Sequence, residues 1–146
     1  MKLYERLDYL AYRLRYEATY LEMKYHLKKV MKGKEGNYIK RIRHYDRNVG
    51  KSCALARLSV KYNIPVAVPL NSWTTLYTKD IPRYIPKYFK NKLPQTVVVN
   101  EHLRGKRIDY ILVEECIPDD VMNDIVRPMV KRGMVGYRND VNNKQY

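Results

Sequence analysis

The sequence predicts an α/β domain with a mainly parallel sheet and a long N-terminal helix, and three observations lead to that prediction. From residue 38 onward, short apolar segments alternate with segments of helical periodicity. Residues 3–32 contain neither Pro nor Gly and repeat leucine at helical spacing. Of the 146 residues, 45% are apolar, which is enough for one packed domain.

The first predicted element is an amphipathic helix over residues 3–32, which ends at the glycine-containing turn of residues 32–37. Leucines form one stripe along it, and tyrosines form a second stripe beside them. The two stripes are Leu3, Leu7, Leu10, Leu14 and Leu21, and Tyr9, Tyr12, Tyr16 and Tyr20. So wide a face is expected to pack on its own domain, on a partner helix or on a second copy, which leaves a homo-oligomer open.

Five strands and two further helices are expected after this turn. The strands are predicted at residues 38–43, 65–69, 96–99, 108–113 and 134–137. One helix is predicted over residues 53–63 and another from Pro118 to about Lys131. Three prolines in residues 70–94 are expected to limit helix there to short pieces. The chain therefore divides into a helix over 1–36, an α/β domain over 37–140 and a frayed tail over 141–146.

The charge of the chain is strongly positive and unevenly distributed. The net charge is +14, with a balance of +7 in residues 1–47, +6 in residues 76–107 and −2 in residues 108–146. A field of this kind favours a polyanionic partner such as nucleic acid. A basic surface that serves only solubility is the alternative.

Neither membrane insertion nor secretion is expected. The sequence contains no apolar run long enough to cross a bilayer, and its first ten residues carry several charges. Two cysteines, Cys53 and Cys116, are too few for a disulfide scaffold and are expected to be small packing residues. A cytoplasmic protein without membrane contact is therefore predicted.

The tripeptide Gly50-Lys51-Ser52 lies between a predicted strand and a predicted helix, where a phosphate-binding loop belongs. Backbone N–H groups at a helix N-terminus face phosphates, a Lys adds a point charge, and the Ser hydroxyl ligates Mg²⁺. The complete pattern, G-x-x-x-x-G-K-[ST], places another glycine where this chain has Tyr45. The strict motif is therefore incomplete.

The apolar strand predicted at residues 108–113 ends in two carboxylates, Glu114 and Glu115. This is the Walker B arrangement, in which the first acid serves the Mg²⁺ shell and the second polarises the attacking water. The first acid is usually Asp, so Glu114→Asp is expected to preserve or raise activity by restoring the common geometry. Polar residues that merely end a buried strand are the alternative.

These motifs carry a resemblance to a known family. The segment RNVGKS, residues 47–52, resembles the deviant Walker A motif of large-terminase-type viral DNA-packaging ATPases, which often replace the first glycine and place an Arg before G-K-[ST]. Residues 103–115, LRGKRIDYILVEE, are similar to that family's approach to Walker B, and residues 125–129, IVRPM, are similar to its following helix. The resemblance covers roughly residues 40–137 and departs from the family at Glu114.

The resemblance implies a reduced, three-layer P-loop NTPase-like domain that binds ATP and Mg²⁺, in the host cytoplasm if the chain is viral. The residues that it assigns to nucleotide binding are Asn48, Val49, Gly50, Lys51 and Ser52. It assigns Mg²⁺ to Ser52 and Glu114, and activation of the attacking water to Glu115. Arg47 would sense the γ-phosphate, or would be an Arg in a solvated loop. Asn100 would orient a water, or would merely end a strand.

The segment of residues 76–107 mixes basic and aromatic residues, which suits a nucleic-acid groove with stacking platforms. The basic residues expected to contact nucleic acid are Lys87, Lys90, Lys92, Arg104, Lys106 and Arg107. The aromatic residues are Tyr77, Tyr84, Tyr88 and Phe89. The alternative is a solvated basic loop whose aromatics point inward. No base-reading motif is present, so binding is expected to be independent of sequence.

Three hypotheses about function follow. The first is a slow Mg-ATPase that acts on or near nucleic acid, in DNA packaging or remodelling, with an arginine supplied by a neighbouring subunit. The second is a catalytically degenerate P-loop protein that acts as a nucleic-acid-binding or regulatory partner. The third is an interaction protein that uses the N-terminal helix. The intact Lys51-Ser52 pair favours the first hypothesis, whereas Glu114 favours the second.

Overall fold

One sheet of five parallel strands organises the computed structural model, which describes residues 2–43 and 50–139. The strands are β1 (Tyr38–Ile42), β2 (Val66–Val68), β3 (Thr96–Val98), β4 (Ile108–Val113) and β5 (Val130–Asn139). Their order across the sheet is β1-β5-β4-β2-β3, and each neighbouring pair is parallel. The predicted α/β class with a mainly parallel sheet is confirmed.

Helical segments precede and connect the strands. The helices are α1 (Leu3–Met31), α2 (Lys51–Tyr62), α3 (Asn71–Thr75), α4 (Ile81–Tyr84), α5 (Asp119–Val121) and α6 (Arg127–Met129). A π-helical turn, Leu76–Asp80, joins α3 to α4, and a second, Met122–Val126, joins α5 to α6. Short 3-10 turns cover Pro86–Tyr88 and Glu101–Leu103.

Each of the two π-helical turns lies just before a proline and lets the helical run continue through it. Each turn ends two residues before a proline, Pro82 in one case and Pro128 in the other. A proline donates no backbone N–H and crowds the carbonyl four residues earlier, so a locally wider turn accommodates it. For this reason residues 71–84 are one helical run, where the sequence predicted only short pieces of helix.

The sheet is buried on both faces. In β2, Val66 and Val68 belong to a core cluster with α1 and α2, whereas Ala67 between them belongs to a second cluster with residues 117–129. The same alternation separates Leu112 from Ile111 in β4. Because successive side chains of a strand point to opposite faces, the helix after β1 and the helices after β4 cover opposite faces of the sheet.

Helix α1 packs through a face other than its leucine stripe. Tyr20, Met23, Leu27 and Val30 are buried in the core that α1 shares with α2 and the sheet. The five stripe leucines are between 53% and 74% exposed. The first half of α1 therefore presents an apolar face to solvent in the described structure. None of the described helices is both long and apolar enough to cross a membrane.

Strand β5 approaches the end of β4 closely because Gly136 has no side chain. Gly136 pairs with Val113, and a Cβ at Gly136 would collide with the backbone nitrogen and oxygen of Val113. Only glycine fits this contact. Gly136 therefore positions β5 against the strand end from which Glu114 leaves the sheet.

Candidate functional site

The loop that precedes α2 meets the helix at Gly50, which stands at the N-cap position of α2 with a φ of 80°. This left-handed conformation favours glycine. A Cβ at Gly50 would also lie 2.8 Å from the ring of Tyr16 in α1. Both observations explain why glycine occupies this position, and they place α1 directly beside the N-terminus of α2.

Ser52 in the first turn of α2 meets Glu114 at the end of β4, although the two are 62 residues apart in the chain. The Ser52 hydroxyl donates a hydrogen bond to Glu114 Oε2 at 3.1 Å. The carboxyl ends of parallel strands share one edge of the sheet, and α2 begins at that edge because it follows β1. The topology therefore brings together two residues that the sequence assigned to one metal site.

Glu114 is almost completely enclosed, with 1% of its surface exposed. Its carboxylate also accepts hydrogen bonds from the hydroxyl of Tyr77 and from the backbone N–H of Glu115, the latter at 3.3 Å. Burial raises the pKa of Glu114 above its ordinary value, and the hydrogen bonds from Tyr77, Glu115 and Ser52 act in the opposite direction.

Tyr77 belongs to this site, although the sequence predicted it only as an aromatic residue of the nucleic-acid-binding segment. Its side chain is fully buried, and burial, followed by the nearby Glu114 charge, raises the pKa of its hydroxyl well above the ordinary value. Trp73, Tyr77 and Ile81 recur at intervals of four, and this spacing was the available signal of a helical face. Phe89 is buried as well, so the expectation that Tyr77 and Phe89 are exposed stacking platforms is wrong.

A cleft of about 480 Å³ opens beside this cluster, and we call it the loop cleft. Its lining includes Gly50, Lys51, Ser52 and Glu115, together with residues of α1 and of the 76–84 segment. Glu115 is half-buried and lines the cleft, whereas Glu114 is buried and does not line it. The two acids at the end of β4 therefore occupy different environments.

A Mg²⁺ ion at this site would have few protein ligands. Within residues 2–43 and 50–139, no group of three or more His, Cys, Asp and Glu side chains is placed to hold a metal ion. Mg²⁺ in phosphate-binding sites ordinarily uses one or two protein oxygens, with phosphates and waters supplying the rest. A hydroxyl that donates its proton keeps lone pairs for a cation. Ser52, held by Glu114, fits that role.

Three of the assigned residues, Arg47, Asn48 and Val49, lie outside the described residues. Asn100 follows β3, and its side chain accepts the backbone N–H of His102 at 2.9 Å, which caps the turn Glu101–Leu103. This contact supports the interpretation of Asn100 as a residue that ends a strand. β3 is also two strands away from β4 in the sheet.

Both cysteines are free thiols. Burial raises the pKa of Cys53, and burial together with the charges of Glu115 and Glu114 raises the pKa of Cys116 to about 11. Both thiols are therefore protonated at neutral pH and are poor nucleophiles.

The six basic residues predicted to contact nucleic acid are exposed but do not form one cluster. Lys106 and Arg107 directly precede β4, at the amino edge of the sheet. Lys92 reaches the same edge, where its Nζ donates to Asn63 Oδ1 at 2.8 Å before β2. Arg104 pairs with Glu101, with Nη2 3.2 Å from Oε1.

The amino edge is opposite the loop cleft, since β4 has six residues and spans about 20 Å. Lys87 lies elsewhere, at a second cleft beside α1. The basic residues of this segment therefore do not face the loop cleft as a group.

Comparison of this chain with protein-family models, with curated proteins and with solved structures finds no match.

Proposed function

We propose that this chain binds ATP with Mg²⁺ in the loop cleft and hydrolyses it slowly, while acting on or near nucleic acid. One observation carries the proposal: Ser52 at the start of α2 and Glu114 at the end of β4 are hydrogen-bonded at 3.1 Å, next to a cleft that Lys51 and Glu115 line. The resemblance to DNA-packaging ATPases supports the same function, because the two motifs follow one another in the same order in those enzymes.

The sheet topology supports a ligand at this edge. Open α/β sheets bind ligands in the crevice outside the carboxyl ends of strands, where successive connections leave on opposite faces. Here α2 after β1 covers one face and the helices after β4 cover the other. β5 lies between β1 and β4 in the sheet, and the loop cleft lies at this edge between the start of α2, which follows β1, and Glu115, which follows β4.

Each residue has a separate role in the proposal. The backbone N–H groups at the N-terminus of α2 and the Lys51 ammonium bind the phosphates. Glu114 orients the Ser52 hydroxyl, and Ser52 offers its lone pairs to Mg²⁺. When bound, Mg²⁺ neutralises the charge of the β- and γ-phosphates. Arg47 is proposed as the γ-phosphate sensor.

Glu115 is the proposed residue for activating the attacking water. It lies on the wall of the loop cleft and is only half-buried, so water reaches it. Glu114 is enclosed and already accepts hydrogen bonds from two hydroxyl groups, which leaves it unsuited to meet a water in the cleft. We therefore assign the proton acceptor to Glu115 and the positioning role to Glu114.

Nucleic acid is proposed to bind the exposed basic residues without sequence preference. Lys92, Lys106 and Arg107 share the amino edge of the sheet, where phosphates would contact them as point charges. In this arrangement the polyanion and the nucleotide occupy opposite edges, so the two do not compete for the same cations.

A second candidate is a P-loop-like protein that binds nucleotide and does not hydrolyse it. The hydrogen bond from Tyr77 to the buried Glu114 favours it, because Tyr77 holds the carboxylate in an enclosed position where it does not line the loop cleft. ATP binding without turnover, either alone or with nucleic acid, would select this candidate over the first.

The decisive experiment is calorimetric titration of the purified chain with ATP in the presence of Mg²⁺. Lys51→Ala is expected to abolish binding and to leave the far-ultraviolet circular dichroism unchanged, because Lys51 lines the cleft and is not part of the core. Lys61→Ala is the matched control, since Lys61 is exposed in the last turn of the same helix. Equal ATP affinity in the parent and in Lys51→Ala would refute the proposal.

A further inference from the structure

A second cleft of about 600 Å³ lies between α1 and residues 84–88, and six tyrosines line it. We call it the tyrosine cleft, and its tyrosines are Tyr9, Tyr12, Tyr16, Tyr20, Tyr84 and Tyr88. It adjoins the loop cleft, because Tyr16, Cys53 and Tyr84 line both. A ligand in the loop cleft therefore has an aromatic compartment next to it.

The floor of the tyrosine cleft is a stack of three planar groups. The guanidinium of Arg57 lies 3.5 Å from the ring centroid of Tyr20 and 3.8 Å from that of Tyr88. Glu17 accepts hydrogen bonds from Arg57 at 2.9 Å and from the Tyr88 hydroxyl at 3.1 Å. The charge of Arg57 is thus compensated by Glu17, and the hydrogen bonds to Glu17 hold Arg57 and Tyr88 in place.

Tyrosines from two separate elements meet at the rim. The Tyr12 hydroxyl lies 3.3 Å from the Tyr84 hydroxyl and is also hydrogen-bonded to Tyr16. Tyr84 is 62% exposed and Tyr9 is 55% exposed, so both present ring surface to an entering ligand. Arg13 and Lys87 add positive charge to the same lining.

We propose that the tyrosine cleft binds the base of the nucleotide whose phosphates lie at Lys51 and Ser52. This inference rests on the proposed function and names the part of the substrate that the loop cleft does not hold. A nucleobase offers two flat faces for stacking on tyrosine rings, and every base has such faces. The continuity of the two clefts through Tyr16 lets one ligand span both.

The hydrogen bonds among the residues at the floor of the tyrosine cleft predict how strongly the cleft discriminates between bases. Arg57, Glu17 and the Tyr88 hydroxyl hydrogen-bond to one another, so reading a base edge would require breaking these contacts. Stacking without edge recognition discriminates weakly between bases. ATP and GTP are therefore expected to bind with affinities within about tenfold of each other.

The test compares two probes on the full chain by calorimetry, Mg-ATP and magnesium tripolyphosphate, which lacks the base and the ribose. Tyr84→Ala and Tyr9→Ala are expected to weaken ATP binding by about 5- to 150-fold, the range measured when stacked aromatics are removed. Tripolyphosphate affinity should stay unchanged in Tyr9→Ala, because Tyr9 lines the tyrosine cleft and not the loop cleft. Tyr84→Phe keeps the ring and should recover most of the lost ATP affinity, and Tyr4→Ala, an exposed tyrosine of α1 outside the cleft, is the control.

The outcomes separate this inference from the proposed function. Unchanged ATP affinity in both alanine variants, or an equal loss of tripolyphosphate affinity in Tyr9→Ala, would overturn the base assignment and leave phosphate binding at the loop standing. A parent that binds neither probe would refute the proposed function, and the base assignment with it. If the same variants lose affinity for an oligothymidylate strand and bind ATP as tightly as the parent, the tyrosine cleft binds a base of single-stranded nucleic acid, and the assignment to the base of ATP is wrong.

Discussion

Replacing Tyr77 by Phe removes one hydroxyl group from the centre of the candidate site. The substitution keeps the ring that fills the core and deletes the donor to Glu114 Oε2. Glu114 retains Ser52 and the Glu115 backbone N–H as donors, and its carboxylate remains almost fully enclosed. The variant therefore measures how far the free energy of unfolding falls when a buried carboxylate loses one of its three hydrogen-bond donors.

The expected cost follows from the charge state of Glu114. Hydrogen bonds to charged groups contribute about 1.5–3 kcal/mol, whereas those between neutral groups contribute about 0.5–1.5 kcal/mol. We therefore expect Tyr77→Phe to lower the free energy of unfolding by about 2 kcal/mol where Glu114 is ionised, and by about 1 kcal/mol where it is protonated.

The pH dependence has a definite sign. Burial raises the pKa of Glu114 in the folded state, so its contribution to stability is complete below the unfolded pKa and is lost as pH rises through the folded pKa. The Tyr77 hydrogen bond lowers that folded pKa, so removing it extends the loss to higher pH. The destabilisation caused by Tyr77→Phe should therefore be larger at pH 8 than at pH 5.

Urea denaturation at pH 5 and pH 8, followed by far-ultraviolet circular dichroism, measures both quantities. Tyr62→Phe is the matched control, because the buried Tyr62 hydroxyl has no hydrogen-bond partner among the described residues. Its removal should leave stability unchanged or raise it slightly. A Tyr77→Phe variant as stable as the parent at both pH values, or destabilised equally at both, would refute the argument.

Three further predictions concern turnover, the basic surface and the sheet. Glu115→Gln should retain ATP binding and abolish hydrolysis in a phosphate-release assay; undiminished turnover would exclude Glu115 as the proton acceptor. Replacing Lys92, Lys106 and Arg107 together by Ala should flatten the dependence of log affinity for duplex DNA on log salt by up to about three units, and an unchanged slope would place the contacts elsewhere. Gly136→Ala should lower the free energy of unfolding, measured by urea denaturation, by at least about 1–3 kcal/mol, because the added Cβ would collide with the backbone of Val113. Stability equal to that of the parent would show that β5 can shift to make room for the methyl group.

Local patterns in the sequence predicted most of the elements. The absence of Pro and Gly over residues 3–32 predicted α1, and the apolar run at residues 108–113 predicted β4 with its bounds. Glycine followed by Lys51 and Ser52 predicted where α2 begins to within two residues. These features depend on backbone propensity and on side-chain periodicity, which act between residues close in the chain.

The role of Glu114 is a case in which sequence and structure lead to different expectations. From the sequence, Glu114→Asp restores the residue usual at this position. In the structure the longer side chain reaches both Tyr77 and Ser52, and a shorter one would withdraw the carboxylate from these donors. The structure therefore favours a loss of stability in Glu114→Asp, because a buried donor without an acceptor is unfavourable.

The sequence by itself determined the fold class, the long first helix and the two motifs that Ser52 and Glu114 belong to. Only the tertiary structure decided that Ser52 touches Glu114, that Tyr77 completes the cluster, and that the tyrosine stripe of α1 faces a cleft while the leucine stripe faces solvent. The physical reason is that these contacts join residues far apart in the chain, 37 positions for Tyr77 with Glu114 and 62 positions for Ser52 with Glu114. The order of the strands and the face on which each helix packs bring such residues together, and no local pattern encodes either.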